Sequence, residues 1–317
     1  MLKSVKIANF RCLRQVTLTF EPLTVFVGPN GSGKSAALEA IDPRRAAAPQ
    51  DLWQHEPNLV FHRVFALTEG ATVVRQHGSG HGWQNDPLLD GFVYQPLRLD
   101  LGAVRQANTV TKETRLAVTG QNLANVFGSL SRRQQEEMAH QLCDLVPLFR
   151  DVDVTPTAGG QHQLRYQDRW NPAVWYAPDE VSDGTMLVTA FLALPYQTPP
   201  VSLVAIEEPE RGLHPYLLEQ LIVLLRKLSK GAIGPRPVQV VMATHSPELL
   251  EFVKPEEVRF FTRRADDGSV DVREVPLSDP NWPKYFEEYS RSLREAWLSG
   301  GLGGVPGSEP IGSAPAK

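Results

Sequence analysis

Cysteine is nearly missing from this 317-residue chain, which holds only Cys12 and Cys143. Two thiols exclude a disulfide framework and fit a reducing compartment, so a cytoplasmic location is expected. Long apolar runs are missing too. No stretch of about 18 apolar residues occurs, so neither a transmembrane helix nor a membrane partner is expected. The opening residues, MLKSVKIANF, hold no apolar signal-peptide core. There is no internal repeat, and no heptad run long enough for a coiled-coil arm. Charge of one sign is not in large excess either, the formal net charge being −4. That argues against coating nucleic acid by bulk charge and leaves room for a local basic groove.

What is present describes a folded globular protein. Hydrophobic residues make up 42% and charged residues 21%. The length suits one large domain or two modest ones. The last stretch is rich in Gly, Pro, Ser and Ala, so residues 301–317 are expected to form a flexible tail.

Apolar periodicity orders the rest. Leu2–Ile7 and Gln15–Phe20 read as strands around Asn9-Phe10-Arg11, and Leu23–Val27 reads as a buried strand. A Gly-rich loop and a helix over Lys34–Ile41 follow. Val60–Ala66 and Ala71–Arg75 suggest one hairpin, and Val152–Thr155 with Gln163–Tyr166 another. Asn122–Val146 has helical spacing with a break near Gly128. Met186–Leu194 reads as an apolar helix, Val201–Ile206 as a buried strand, Pro215–Leu228 as an amphipathic helix and Val238–Ala243 as another strand. Ser246-Pro247 is a helix-start pair, and Trp282–Leu298 reads as a C-terminal amphipathic helix. Strands alternating with helices predict a parallel α/β core, with a mixed lobe inserted over about residues 45–180 of one domain spanning 1–300.

Chemistry concentrates at three places. Gly28-Pro29-Asn30-Gly31-Ser32-Gly33-Lys34-Ser35 fits G-x-x-x-x-G-K-[ST] between a predicted strand and a predicted helix. Glycines let backbone N–H groups curl around phosphate oxygens, and the helix start adds partial positive charge. Lys34 would reach the β- and γ-phosphates of ATP, and Ser35 would ligate Mg2+. Next, the apolar strand ending in Glu207-Glu208 delivers two carboxylates where parallel sheets bind ligands. Glu207 would hold Mg2+ through water, and Glu208 would orient the attacking water. Lastly, a strand runs into Thr244-His245-Ser246, where His245 would donate to a γ-phosphate.

Taken in order, GPNGSGKS, VSDGT, LVAIEEPERGLHP and ATHSP resemble the motifs of ABC-type P-loop ATPases. KIANFRCL at the start is similar to the branch that holds RecF, SMC heads and many AAA-family bacterial ATPases. The resemblance implies a P-loop NTPase ABC-type head with a mixed sheet core, using ATP and Mg2+. It implies that VSDGT is the signature segment, where Ser182 and the Gly184 backbone would contact the γ-phosphate held by a second copy; from the residues alone Ser182-Asp183 is a helix cap. It implies an ATP-dependent homodimer. Glu210–Pro215 resembles the D-loop region at the interface. Phe92–Gln95 resembles the strand into a Q-loop, which would make Gln95 a Mg2+ sensor; Gln121 is the rival, and an ordinary buried strand the plain alternative. Asn9 and Arg11 are read either near the nucleotide or as surface groups.

Two positions depart from the family. Glu207 stands where many members carry Asp, and Asp183 where transporters usually carry Gly. The expected function is ATP hydrolysis serving DNA repair, genome maintenance or phage defence, with DNA or a partner effector as further partners. The alternative is an ATP-gated interaction module with negligible turnover. The signature and the long insertion disfavour a transporter subunit. His77-Gly-Ser-Gly-His81 reads as a plain loop, and Arg132-Arg133 and Arg226-Lys227 as solvated faces.

Overall fold

The computed structural model describes residues 1–302 except 57–58, 68–69, 71, 78–90, 212 and 214. His81, His214 and residues 303–317 of the expected tail lie outside the described residues, while Gly301 and Leu302 at its start are buried. The chain divides into two units, Met1–Gly91 with Val241–Lys317, and Phe92–Val240.

In the first unit, β1 (Leu2–Phe10) and β2 (Leu13–Thr19) pair antiparallel. The chain turns between them through Asn9 and Arg11, whose φ values are 63° and 48°. Then come β3 (Leu23–Val27), buried throughout, and α1 (Lys34–Ala40). The hairpin of β4 (Phe61–Leu67) and β5 (Thr72–His77) joins the first two strands in the order β2-β1-β4-β5. Val5, Ile7, Leu18 and Phe65 are buried along this sheet, each contributing about 1.5–3 kcal/mol when fully covered.

Arg63 on β4 is wholly buried. Its guanidinium lies over the rings of Phe61 and Phe65, at 4.5 and 5.4 Å. It donates to the carbonyls of Ala40 (3.0 Å), Asp42 and Arg45 (2.8 Å). These carbonyls end α1 and begin the next turn, so one side chain anchors the helix that starts at Lys34. Arg63→Met keeps the stem and removes the donors. We expect it to destabilise this unit by about 2–4 kcal/mol, since bonds from a charged donor are worth about 1.5–3 kcal/mol each net of water and removing the buried charge offsets part of the loss. A lowered urea midpoint, read by circular dichroism, checks this.

The second unit opens with β6 (Tyr94–Leu97), α2 (Leu101–Val104), α3 (Leu123–Ser129) and α4 (Arg132–Leu145). The expected break in the 122–146 helix falls at Leu130-Ser131, where Ser131 and Gln134 form a capping box for α4. A three-stranded antiparallel sheet follows: β7 (Phe149–Pro156), β8 (His162–Asp168) and β9 (Trp175–Tyr176). Then come α5 (Asp183–Leu192), β10 (Leu203–Glu207) and α6 (Pro215–Ser229). β10 pairs in parallel with β6, placing Val204 opposite Gln95. The stretch 45–180 is therefore shared: β4 and β5 complete the N-terminal sheet, while α2 to β9 belong to the second unit.

β11 (Gln239–Thr244) leads back into the first unit, where β12 (Val258–Arg263) and β13 (Val270–Glu274) form a hairpin. β12 pairs in parallel with β3, and β3 lies between β12 and β11. Parallel and antiparallel pairs together make the core mixed. Two expectations for the C-terminal part are corrected. Ser246-Pro247 opens a single 3-10 turn, Glu248–Glu251, rather than a helix. The expected helix over Trp282–Leu298 is two short ones, α7 (Trp282–Glu288) and α8 (Leu293–Leu298). Ser290 and Arg291 between them take φ of 54° and 56°, which a helix cannot contain. Among the described residues no helix is long and apolar enough to cross a membrane.

Candidate functional site

The phosphate loop runs from the end of β3 to the start of α1 and is pressed against the β12–β13 hairpin. A Cβ at Gly28 would stand 2.4 Å from the Phe261 carbonyl oxygen. One at Gly33 would stand 2.6 Å from a Val270 methyl and 3.0 Å from the Cys12 sulfur. Gly33 also has φ of 103°, which L side chains avoid. Arg263, at the end of β12, donates from Nε to the Gly31 carbonyl at 2.9 Å. Glycines 28 and 33 are thus set by close approach, and Gly31 is held from outside.

These facts separate two mutations. Gly33→Ala collides and is strained, so we expect at least about a tenfold loss of ATP affinity and a stability loss of about 1–3 kcal/mol. Gly31→Ala, with φ of 77° and nothing within 4 Å of a new Cβ, should cost only the backbone term of about 1–2 kcal/mol. Calorimetric ATP titration and thermal melts of both variants check the order.

Lys34 is buried at 9% exposure. Its ammonium donates to the carbonyls of Gly28 (2.7 Å) and Pro29 (2.9 Å) and lies 3.4 Å from the Ser32 hydroxyl. Asn30 and Ser35 are exposed. A lysine folded onto its own loop is a localised cation held by backbone carbonyls beside a Gly-rich turn, a charge suited to phosphate. In the same unit His245 follows β11 and is exposed. The next residue is fixed: the Ser246 amide donates to the Thr244 hydroxyl at 2.9 Å, and the Ser246 hydroxyl to Glu248 at 2.8 Å. The latter bond holds the Glu248 carboxyl below its ordinary range.

In the second unit β10 ends at Glu207, and Glu208 turns out of the strand with φ of 47°. The Arg211 amide donates to the Glu208 carbonyl at 3.0 Å and closes this turn. Both carboxylates are half-buried. Arg98 Nη1 lies 3.9 Å from Glu207 Oε2. Gln95 is buried at 2% exposure, and its Nε2 donates to the Leu116 carbonyl at 2.9 Å. Gln95 thus lies on a buried strand, its Nε2 taken by backbone while its buried Oε1 has no hydrogen-bond partner among the described residues. Gln121 is exposed and accepts from the Thr119 hydroxyl.

Comparison with known proteins adds to this geometry. Residues 1–43 match a family model described as "AAA ATPase domain". Residues 125–251 match one described as "AAA domain, putative AbiEii toxin, Type IV TA system". The SMC head domain from Thermotoga maritima shares the fold, with a TM-score of 0.55 at 16% identity over 86% of this chain and 98% of that one. An Smc head bound to the C-winged helix domain of ScpA gives 0.54 at 13% identity, over 87% and 98%. An Smc head bound to the C-terminal domain of ScpA derived from Pyrococcus furiosus gives 0.53 at 12%, over 91% and 99%. The chain therefore has the fold of an SMC head P-loop ATPase domain. An OLD nuclease of Thermus scotoductus (strain ATCC 700910 / SA-01) is 55% identical over 42 residues, or 13% of the chain. The chain spans 8% of that nuclease's length.

The segment that resembles the signature starts α5. Ser182 caps the helix, its Oγ accepting from the Thr185 amide at 3.2 Å. Gly184 abuts α6 so closely that a Cβ would meet Leu217 at 2.5 Å. Sequence reading missed three arginines that hold the motifs: Arg63 behind α1, Arg263 on the phosphate loop, and Arg105 on the signature. It also missed the β12–β13 hairpin, although Asp267-Gly268 between two apolar runs is a hairpin signal.

Proposed function

We propose that the head binds ATP with Mg2+ and hydrolyses it, two copies closing around two nucleotides. The observation that carries this reading is Glu208. A non-glycine residue held in the left-handed region costs about 1–2 kcal/mol, and such residues gather where a side chain must be aimed. The left-handed turn serves, in this reading, to present the second carboxylate at the end of the acidic strand. In this reading the amides of Gly28 to Ser35 wrap the phosphates, and Lys34 leaves its carbonyls for the β- and γ-oxygens. His245 donates to the γ-phosphate, Glu208 orients water and accepts its proton, and Ser182 with the Gly184 amide serves the partner's nucleotide. Ser35 and Glu207 would hold Mg2+, which when bound draws charge from the phosphates in the transition state.

The pathway proposed is genome maintenance or phage defence, in the cytoplasm, with DNA or an effector protein as the partner. Support comes from the names of the similar proteins: SMC heads, an OLD nuclease, and a family described by a toxin–antitoxin system. Turnover of the purified protein, with and without duplex DNA, tests this. A rate raised several-fold by DNA is expected. A second reading, an ATP-gated module with negligible turnover, is favoured by Arg98, whose cation near Glu207 opposes a metal there. ATP binding without turnover, with DNA or without it, selects that reading.

A further inference from the structure

Asp183 is the oddest residue of the signature segment. It puts a carboxylate between Ser182 and Gly184, the two groups proposed to meet a triphosphate. At the first turn of a helix an aspartate is favourable by itself and needs no cation. Yet a cation is built in. Arg105, just past α2, has a side chain only 16% exposed, against 48% for Asp183. Its Nη2 donates to Asp183 Oδ1 at 2.5 Å and to the Val181 carbonyl at 3.2 Å, and its Nη1 donates to the Pro178 carbonyl. Exposed ion pairs contribute little, but a mostly buried guanidinium carries a desolvation cost that its three bonds must offset. The other side of the segment is fixed as well, since Gly184 is packed on Leu217. The backbone of the segment is therefore held from both sides, with Asp183 kept next to Ser182.

We infer that Arg105 is a positioning residue of the signature: it neutralises Asp183 so that Ser182 and the Gly184 amide meet the triphosphate without like-charge repulsion. The inference rests on the proposal that two copies close around ATP. With Arg105 paired, the segment offers a hydroxyl and amides on a neutral background. Without it, the same segment presents an anion to an anion.

The test uses the full chain carrying Glu208→Gln, to stop turnover, and measures dimerisation in saturating Mg2+-ATP by sedimentation. Arg105→Met is expected to weaken the dimer about 10- to 100-fold, less than for a fully buried uncompensated charge because the Asp183 side chain is 48% exposed. The loss should shrink as salt is raised. Adding Asp183→Asn to Arg105→Met is expected to bring the dimer back to within about threefold of the parent, which also shows that the variant folds. Arg105→Met dimerising like the parent, or a double variant as weak as the single one, overturns the inference; in the latter case Arg105 acts only through the carbonyls of Pro178 and Val181. A parent that stays monomeric with ATP bound is a different result: it removes the two-copy reading itself, and this inference with it.

Discussion

Lys34→Ala is expected to weaken ATP binding about 100-fold or more while leaving the fold intact. The size follows from removing a buried, charge-assisted donor from polyphosphate, which costs several kcal/mol in comparable sites, about 2–5 kcal/mol. The fold should survive because alanine is the best helix former and Lys34 is the first residue of α1. The carbonyls of Gly28 and Pro29 lose their ammonium donor, but they lie on a loop that Arg263 Nε holds at Gly31 and that packs against Phe261 and Val270. Lys34→Arg should rescue little, because a planar fork does not fit a pocket shaped for three convergent donors. Calorimetric titration with ATP, beside a circular dichroism melt, decides the matter. ATP affinity unchanged in a folded Lys34→Ala would remove the phosphate loop from the site.

The second large effect concerns Glu208→Gln. Turnover should fall about 10²- to 10⁴-fold, the range for losing a positioned general base, with ATP affinity changed by less than about threefold. Glutamine keeps the length and hydrogen-bonding capacity of the side chain and cannot accept the water's proton. The backbone supplies an independent check. Glu208→Gly should also abolish turnover, yet raise thermal stability by up to about 1–2 kcal/mol, because glycine occupies φ of 47° without strain. Activity lost with stability gained marks a residue whose strain serves function. A glutamine variant turning over at the wild-type rate would instead move the catalytic role elsewhere.

The elements that carry the expected nucleotide motifs were legible because each is a local pattern with a local cause. The glycines of the phosphate loop answer to turns and close approach, and the buried strands before Gly28, Glu207 and His245 declare themselves by unbroken apolar runs. Their supports were not legible. Arg63, Arg105 and Arg263 act on backbone carbonyls 18 to 232 residues away in sequence, and no spacing rule reports such contacts. Gln95 is a related case: its spacing could not show that Nε2 binds the Leu116 carbonyl in the core while Oε1 is left without a hydrogen-bond partner among the described residues. In the C-terminal part, Trp282, Leu293 and Trp297 are buried and keep helical spacing, yet the left-handed pair Ser290-Arg291 breaks the helix between them. Apolar spacing survived that break because both short helices bury the same kind of residue. The hydrogen bond from Arg291 Nη2 to Glu287 is of a kind that an unbroken helix would also make, so it gave no warning.

The measurement that tests the central claim most directly is ATP turnover per head as a function of protein concentration. If two copies complete each other's sites, the specific rate should rise with concentration to a plateau and vanish in Glu208→Gln. A specific rate that does not change on dilution would show that one copy suffices, and no turnover at any concentration would show that the head does not hydrolyse ATP alone; either result contradicts hydrolysis in a two-copy sandwich.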